Sequence, residues 1–217
     1  MPRFTRAHTI TQAQNTPLIP VFYHAEAVYA RQVLQACYEG GARLFEFTNR
    51  GPNAFAIFAD LQRFVEAEYP ELLLGAGTIF TAEEAERFIA AGADFIIQPI
   101  ISAEVAAVCQ RHDLAWLPGA MTLNEVYQAQ QLGAALVKLF PAAQLTPAYL
   151  KALRGSMPTL PIMATGGIQP TVPVLTEWRE AGATCVGIDS RLLLTSNQVA
   201  LTTQVATLMQ ALRPAAT

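Results

Sequence analysis

The chain has 217 residues, 52% of them hydrophobic and 14% charged, and a formal net charge of −3. That length suits one α/β domain, residues 1–217, with a sizeable core. The weakly acidic balance argues against nucleic acid or an anionic membrane as partner, since both call for a basic surface, and no apolar run approaches the roughly 20 residues of a membrane span.

The first stretch, "MPRFTRAHTITQAQNTP", is polar and lacks the apolar core of a signal peptide. Residues 1–16 are expected to form an N-terminal arm or helix under the domain, and the protein to be cytoplasmic. "LIPVFY" from Leu18 reads as a strand, and the amphipathic run after it stops at Gly40-Gly41. "RLFEFT" is the second strand, with a helix from Pro52 to Tyr69. "LLLGAGT" is the third. Thr81 with Glu84 forms a capping box that opens the next helix, which stops at Gly92. "DFIIQP" is the fourth strand, and a helix runs from Ser102 to about His112. "LAWLPG" is the fifth, and Thr122 with Glu125 makes a second capping box before a helix ending at Gly133. "ALVKLF" is the sixth strand, and Thr146-Pro147 supplies an N-cap and first helical residue. "LPIMATGG" is the seventh, with a helix over 170–181. "TCVGID" is the eighth, and the final helix spans Gln198 to Leu212.

Continuous apolar strands alternating with helices imply a parallel sheet covered on both faces. Eight such units predict a single closed (β/α)₈ TIM barrel; an open doubly wound sheet is the alternative. The cysteines, Cys37, Cys109 and Cys185, have no metal-ligand spacing and read as buried reduced thiols. His8, His24 and His112 form no cluster in the sequence. High apolar content with little charge points to an oligomer that hides its apolar patches.

The polar residues that interrupt the strands fall at their C-terminal ends, where barrels of this kind carry their sites. In "FEFTNRG", Glu46 and Thr48 alternate with Phe45 and Phe47, which places Glu46 toward the barrel axis and the phenylalanines toward the helices. Arg50 follows in the loop. Thr78 comes after two glycines that let backbone approach a ligand. Gln98-Pro99 ends the fourth strand, Thr165-Gly166-Gly167 the seventh, and Asp189-Ser190 the eighth.

Lys138 is one of only two lysines among 14 basic residues, and it stands inside the apolar run "AALVKLFPAA". A buried ammonium is costly unless it is paired or gives up its proton. Alternation with Val137 and Leu139 points it inward. A neutral inward amine can attack a ketone to form a Schiff base. Glu46 is the one inward carboxylate available to move protons around it, and Arg50 offers a fork that matches a keto-acid carboxylate. Lys138 and Glu46 could instead be a structural ion pair, Arg50 a surface arginine, and Thr78 and Thr165 simple turn caps.

The set "FEFTNR", "GAGT", "VKLFPA" and "TGGI", in that order over 16–194, resembles the 2-keto-3-deoxy-6-phosphogluconate aldolase and 4-hydroxy-2-oxoglutarate aldolase family. The resemblance implies a class I aldolase: a Schiff-base enzyme with no metal or cofactor, usually a homotrimer. Such an enzyme cleaves a 2-keto-3-deoxy-6-phosphosugar acid or 4-hydroxy-2-oxoglutarate to pyruvate and an aldehyde, glyceraldehyde 3-phosphate or glyoxylate. Carried over by position, Lys138 is the Schiff-base lysine and Glu46 the acid/base. Arg50 and Thr78 hold the carboxylate, Thr165 meets the reacting hydroxyl, and Pro99 and Phe140 line the pocket. Gly166, Gly167 and Ser190 form a phosphate pocket. Two positions depart from the family pattern. Asp189 stands where a glycine often precedes the phosphate serine, and Tyr23-His24 end the first strand where a basic or aliphatic residue is common. Competing functions on the same barrel are a phosphosugar isomerase or epimerase and a non-catalytic binder of keto acids or phosphosugars.

Overall fold

The computed structural model describes residues 3–189 and 197–212. Helix α1 (Arg6–Asn15) precedes β1 (Leu18–Phe22), and helices and strands then alternate: α2 (Ala27–Glu39), β2 (Leu44–Thr48), α3 (Ala54–Glu68), β3 (Leu73–Gly77), α4 (Ala82–Ala90), β4 (Phe95–Ile97) and α5 (Ala103–Arg111). After β5 (Ala115–Leu117) and β6 (Gly119–Ala120) come α6 (Leu123–Gln131), β7 (Val137–Leu139), α7 (Pro147–Ser156), β8 (Ile162–Thr165), α8 (Val172–Glu180), β9 (Cys185–Ile188) and α9 (Gln198–Leu212).

The strands are parallel and ordered β5-β4-β3-β2-β1-β9-β8-β7-β6. The two ends of that order, β5 and β6, are one stretch of chain interrupted at Pro118, so the sheet closes on itself as a (β/α)₈ barrel. The expected fifth strand is split because Pro118 has no N–H to give the ladder. Its carbonyl still serves, accepting from Lys138 N at 2.8 Å.

Local chemistry sets the element ends. Both capping boxes are formed, Thr81 with Glu84 on α4 and Thr122 with Glu125 on α6. The repeated helix stop is also real: Gly41, Gly92, Gly133 and Gly182 all take positive φ, between 81° and 104°. Two helices start two residues later than the sequence suggests, α3 at Ala54 and α8 at Val172.

Strand alternation divides the core in two. Phe45, Phe47, Val137, Leu139, Ile162 and Ala164 face the helices in the larger cluster. Ile19, Val21, Leu44, Leu73, Phe95, Leu117, Leu136, Met163 and Cys185 fill the lower barrel interior, capped from below by Ala13, Ile10 and Phe4 of the N-terminal segment. Arg3 anchors that segment by pairing with buried Asp94, whose carboxyl also accepts from Leu74 N at 2.8 Å. A core buried on this scale supplies about 1.5–3 kcal/mol for each large apolar side chain and gives the upper layer a rigid floor. The three cysteines are free and buried, and burial pushes the thiols of Cys109 and Cys185 up to about 12, which keeps them unreactive.

Candidate active site

Above the apolar floor the barrel interior turns polar. Glu46, Thr48, Lys138 and Thr165 are all buried. Each occupies the inward parity of its strand, continuing the rows of Leu44 on β2, Leu136 just before β7 and Met163 on β8. Lys138 Nζ lies 3.5 Å from Glu46 Oε1, across the barrel from β7 to β2. That is the outer limit of a hydrogen bond. The carboxylate's other oxygen, Oε2, is buried and accepts no hydrogen bond among the described residues. A buried pair kept for structure needs close geometry and satisfied lone pairs, or its desolvation outweighs its attraction. At 3.5 Å this pair lacks that close geometry.

The glycines of "GAGT" work differently from the sequence expectation. A Cβ on Gly75 would lie 2.1 Å from the Phe95 ring, and one on Gly77 would lie 2.1 Å from Glu46 Oε1. They admit protein side chains rather than a ligand, and Gly77 is the socket that lets the Glu46 carboxylate stand beside Lys138. Thr78 then takes φ +61°. For a β-branched residue that conformation is strained by about 1–3 kcal/mol. Replacing Thr78 with glycine is therefore expected to leave the melting temperature unchanged or slightly higher while weakening keto-acid affinity. Calorimetry and substrate titration of the one variant test both halves.

Phe140 follows directly after β7, with its ring centroid 5.1 Å from Lys138 Nζ. A Cβ on Gly166 would lie 2.8 Å from the same ring, so the glycine turn packs onto Phe140. Gly166 and Gly167 have φ of 97° and 81°. Thr165 Oγ1 donates to Gly187 O at 3.1 Å. Pro99 and Phe140 share a cleft of about 300 Å³ with Ile100, Gly119 and Met121. Arg50 is exposed in the loop after β2. Ser190 and Arg191 lie outside the described residues. Asp189 comes one residue after β9.

Two polar residues at the strand ends are structural. Gln98 points outward, accepting from Trp116 Nε1 at 2.8 Å and donating to Ile79 O at 3.0 Å. His24 Nδ1 accepts from Glu26 N at 3.1 Å at the start of α2, and its ring lies 4.5 Å from that of Tyr29. Among the described residues no three His, Cys, Asp or Glu side chains gather as a metal site.

The family model for KDPG and KHG aldolase matches residues 9–205. The chain belongs to the KDPG and KHG aldolase family. It is 33% identical over 162 residues to 2-dehydro-3-deoxy-phosphogluconate aldolase of Treponema pallidum (strain Nichols), covering 74% of this chain and 75% of that one. It is 32% identical over 143 residues to 2-dehydro-3-deoxy-6-phosphogalactonate aldolase of Escherichia coli (strain K12), covering 65% of this chain and 69% of that one. Among solved structures, KDPG aldolase from Legionella pneumophila, with pyruvate captured as a covalent carbinolamine intermediate, superposes with a TM-score of 0.77 at 26% identity, covering 94% of this chain and 98% of that one. The chain is accordingly an aldolase, a carbon–carbon lyase. The isomerase and binder alternatives do not survive the match.

Proposed function

We propose that this aldolase family member is a class I enzyme that cleaves a 2-keto-4-hydroxy acid to pyruvate and an aldehyde through a Schiff base on Lys138. The observation that carries the proposal is the buried Lys138–Glu46 pair, held loosely at 3.5 Å inside the barrel. Lys138 Nζ adds to the C2 ketone, and Glu46 supplies and removes the protons that convert the carbinolamine to an iminium with loss of water. A base then takes the C4 hydroxyl proton. The C3–C4 bond breaks, its electrons pass into the iminium, and the aldehyde leaves. Protonation of the enamine at C3 and hydrolysis release pyruvate and restore the amine. Arg50 and Thr78 would hold the C1 carboxylate, Thr165 the C4 hydroxyl, and Phe140 and Pro99 the pocket walls.

The distal end of the substrate is set by two opposed features. The glycine turn at Gly166 and Gly167, both at positive φ, suits close backbone approach to an anion such as a phosphate, with Ser190 as a further donor. Asp189, where the family often has glycine, brings a like charge toward the same end of the barrel. Pyruvate release should be compared for 2-keto-3-deoxy-6-phosphogluconate, its unphosphorylated form and 4-hydroxy-2-oxoglutarate. Turnover of at least one is expected, and Asp189→Gly should raise the ratio of phosphorylated to unphosphorylated kcat/KM by about tenfold, the effect of ~1.4 kcal/mol of relieved repulsion. No pyruvate from any of the three would overturn the proposal.

The same assignment makes the protein a homotrimer acting in the cytoplasm. Phe80, Ile100, Met121, Leu123 and Tyr127, each more than 40% exposed, support an apolar contact between copies. No helix among the described residues is long and apolar enough to cross a membrane.

A further inference from the structure

Arg50 extends from a loop, and a guanidinium can orient a carboxylate only if its backbone is fixed. Both of its neighbours are held. Asn49 N donates to Gly77 O at 2.8 Å, and Asn49 Nδ2 donates to Glu84 Oε1 at 3.2 Å. Glu84 Oε2 accepts from Phe80 N at 2.7 Å and Thr81 N at 3.2 Å. On the other flank the Tyr23 phenol sits on Gly51: a Cβ there would lie 1.9 Å from Tyr23 Oη.

A capping box needs only one carboxylate oxygen. Glu125 on α6 shows this, using Oε2 alone for Met121 N at 2.8 Å and Thr122 N at 2.7 Å. Glu84 makes the same cap with one oxygen and spends the other across the gap to a different loop. Asn49 belongs to the loop that carries Arg50, and Phe80 and Thr81 to the loop that carries Thr78.

We propose that Glu84 is a positioning residue for substrate binding: through Asn49 it ties the Arg50 loop to the Thr78 loop and sets the spacing of the two groups that grip the keto-acid carboxylate. This rests on the assignment of Arg50 and Thr78 to that carboxylate made above. A cap on α4 alone would stabilise a helix. The bracket also couples a side chain on β3–α4 to affinity at the β2 loop, and it does so without touching substrate.

The test uses full-length protein, with pyruvate and borohydride as the probe, so that no aldehyde need be known. Asn49→Ala removes the link and leaves the cap of α4 intact. It is expected to raise the half-saturating pyruvate concentration about three- to tenfold, the loss of part of one hydrogen bond to a charged acceptor. The trapping rate at saturation should stay within about twofold, and the melting temperature close to that of the parent. Asn49→Asp, which sets a carboxylate against Glu84, should give a larger shift in the same direction. Arg50→Lys is measured alongside. A shift for Arg50→Lys with none for Asn49→Ala overturns the bracket and leaves the role of Arg50 standing. A shift for neither overturns the role of Arg50 and the bracket with it. A fall in saturated rate and melting temperature that matches the loss of affinity overturns the bracket, because a structural role alone accounts for it.

Discussion

A Lys138→Met variant is expected to lose aldol cleavage by about 10⁴-fold or more, the scale seen when the nucleophile of a covalent mechanism is removed. Methionine keeps the volume of the side chain and cannot form an imine. The substitution also leaves Glu46 in the barrel without its counter-charge. Removing one partner of a buried pair costs about 3–5 kcal/mol, and the 3.5 Å separation puts this pair at the lower end. The variant should therefore melt several degrees lower, and adding Glu46→Gln should restore much of that loss without restoring activity. Pyruvate release and calorimetry on the single and double variants separate the chemical role of the lysine from its electrostatic one. A Lys138→Met protein with appreciable turnover would end the Schiff-base proposal.

Glu46→Gln alone should behave differently. Glutamine is nearly isosteric, so it keeps the seat made by Gly77 and leaves the fold intact. It cannot give or take the proton that the imine steps need, and kcat is expected to fall about 10²–10⁴-fold. Lys138 remains a nucleophile in this variant, so borohydride should still trap pyruvate on it, at a reduced rate. Loss of trapping along with turnover would mean that Glu46 also supports the lysine as a nucleophile. Unchanged kcat would remove Glu46 from the mechanism.

Much of this site is legible in the sequence because a strand has a period of two. The inward direction of Glu46 follows from Phe45 and Phe47, and that of Lys138 from Val137 and Leu139; all four of these phenylalanine, valine and leucine side chains lie in the outer core. The helix stops were readable too, since only glycine takes the required φ at low cost. Pairing across strands was not readable. Nothing in "GAGT" says that Gly77 faces Glu46, because that depends on the register Thr48↔Gly77, which no local pattern encodes. Gln98 looked like a site residue because it ends an apolar strand, yet its parity is outward and Trp116 satisfies it. The second capping oxygen of Glu84 was hidden for the same reason: a capping box is a local signal, and its link to Asn49 spans 35 residues.

The measurement closest to the central claim is reduction of the protein with borohydride in the presence of pyruvate, followed by intact-mass and peptide mass spectrometry. Lys138 and Lys151 are the only lysines, and peptide mapping separates them from each other and from the α-amine. The expected result is a single pyruvate adduct on the peptide containing Lys138, absent from Lys138→Met. Folded protein that takes up no adduct, or an adduct on Lys151 alone, would contradict the account and return the Lys138–Glu46 pair to a structural role.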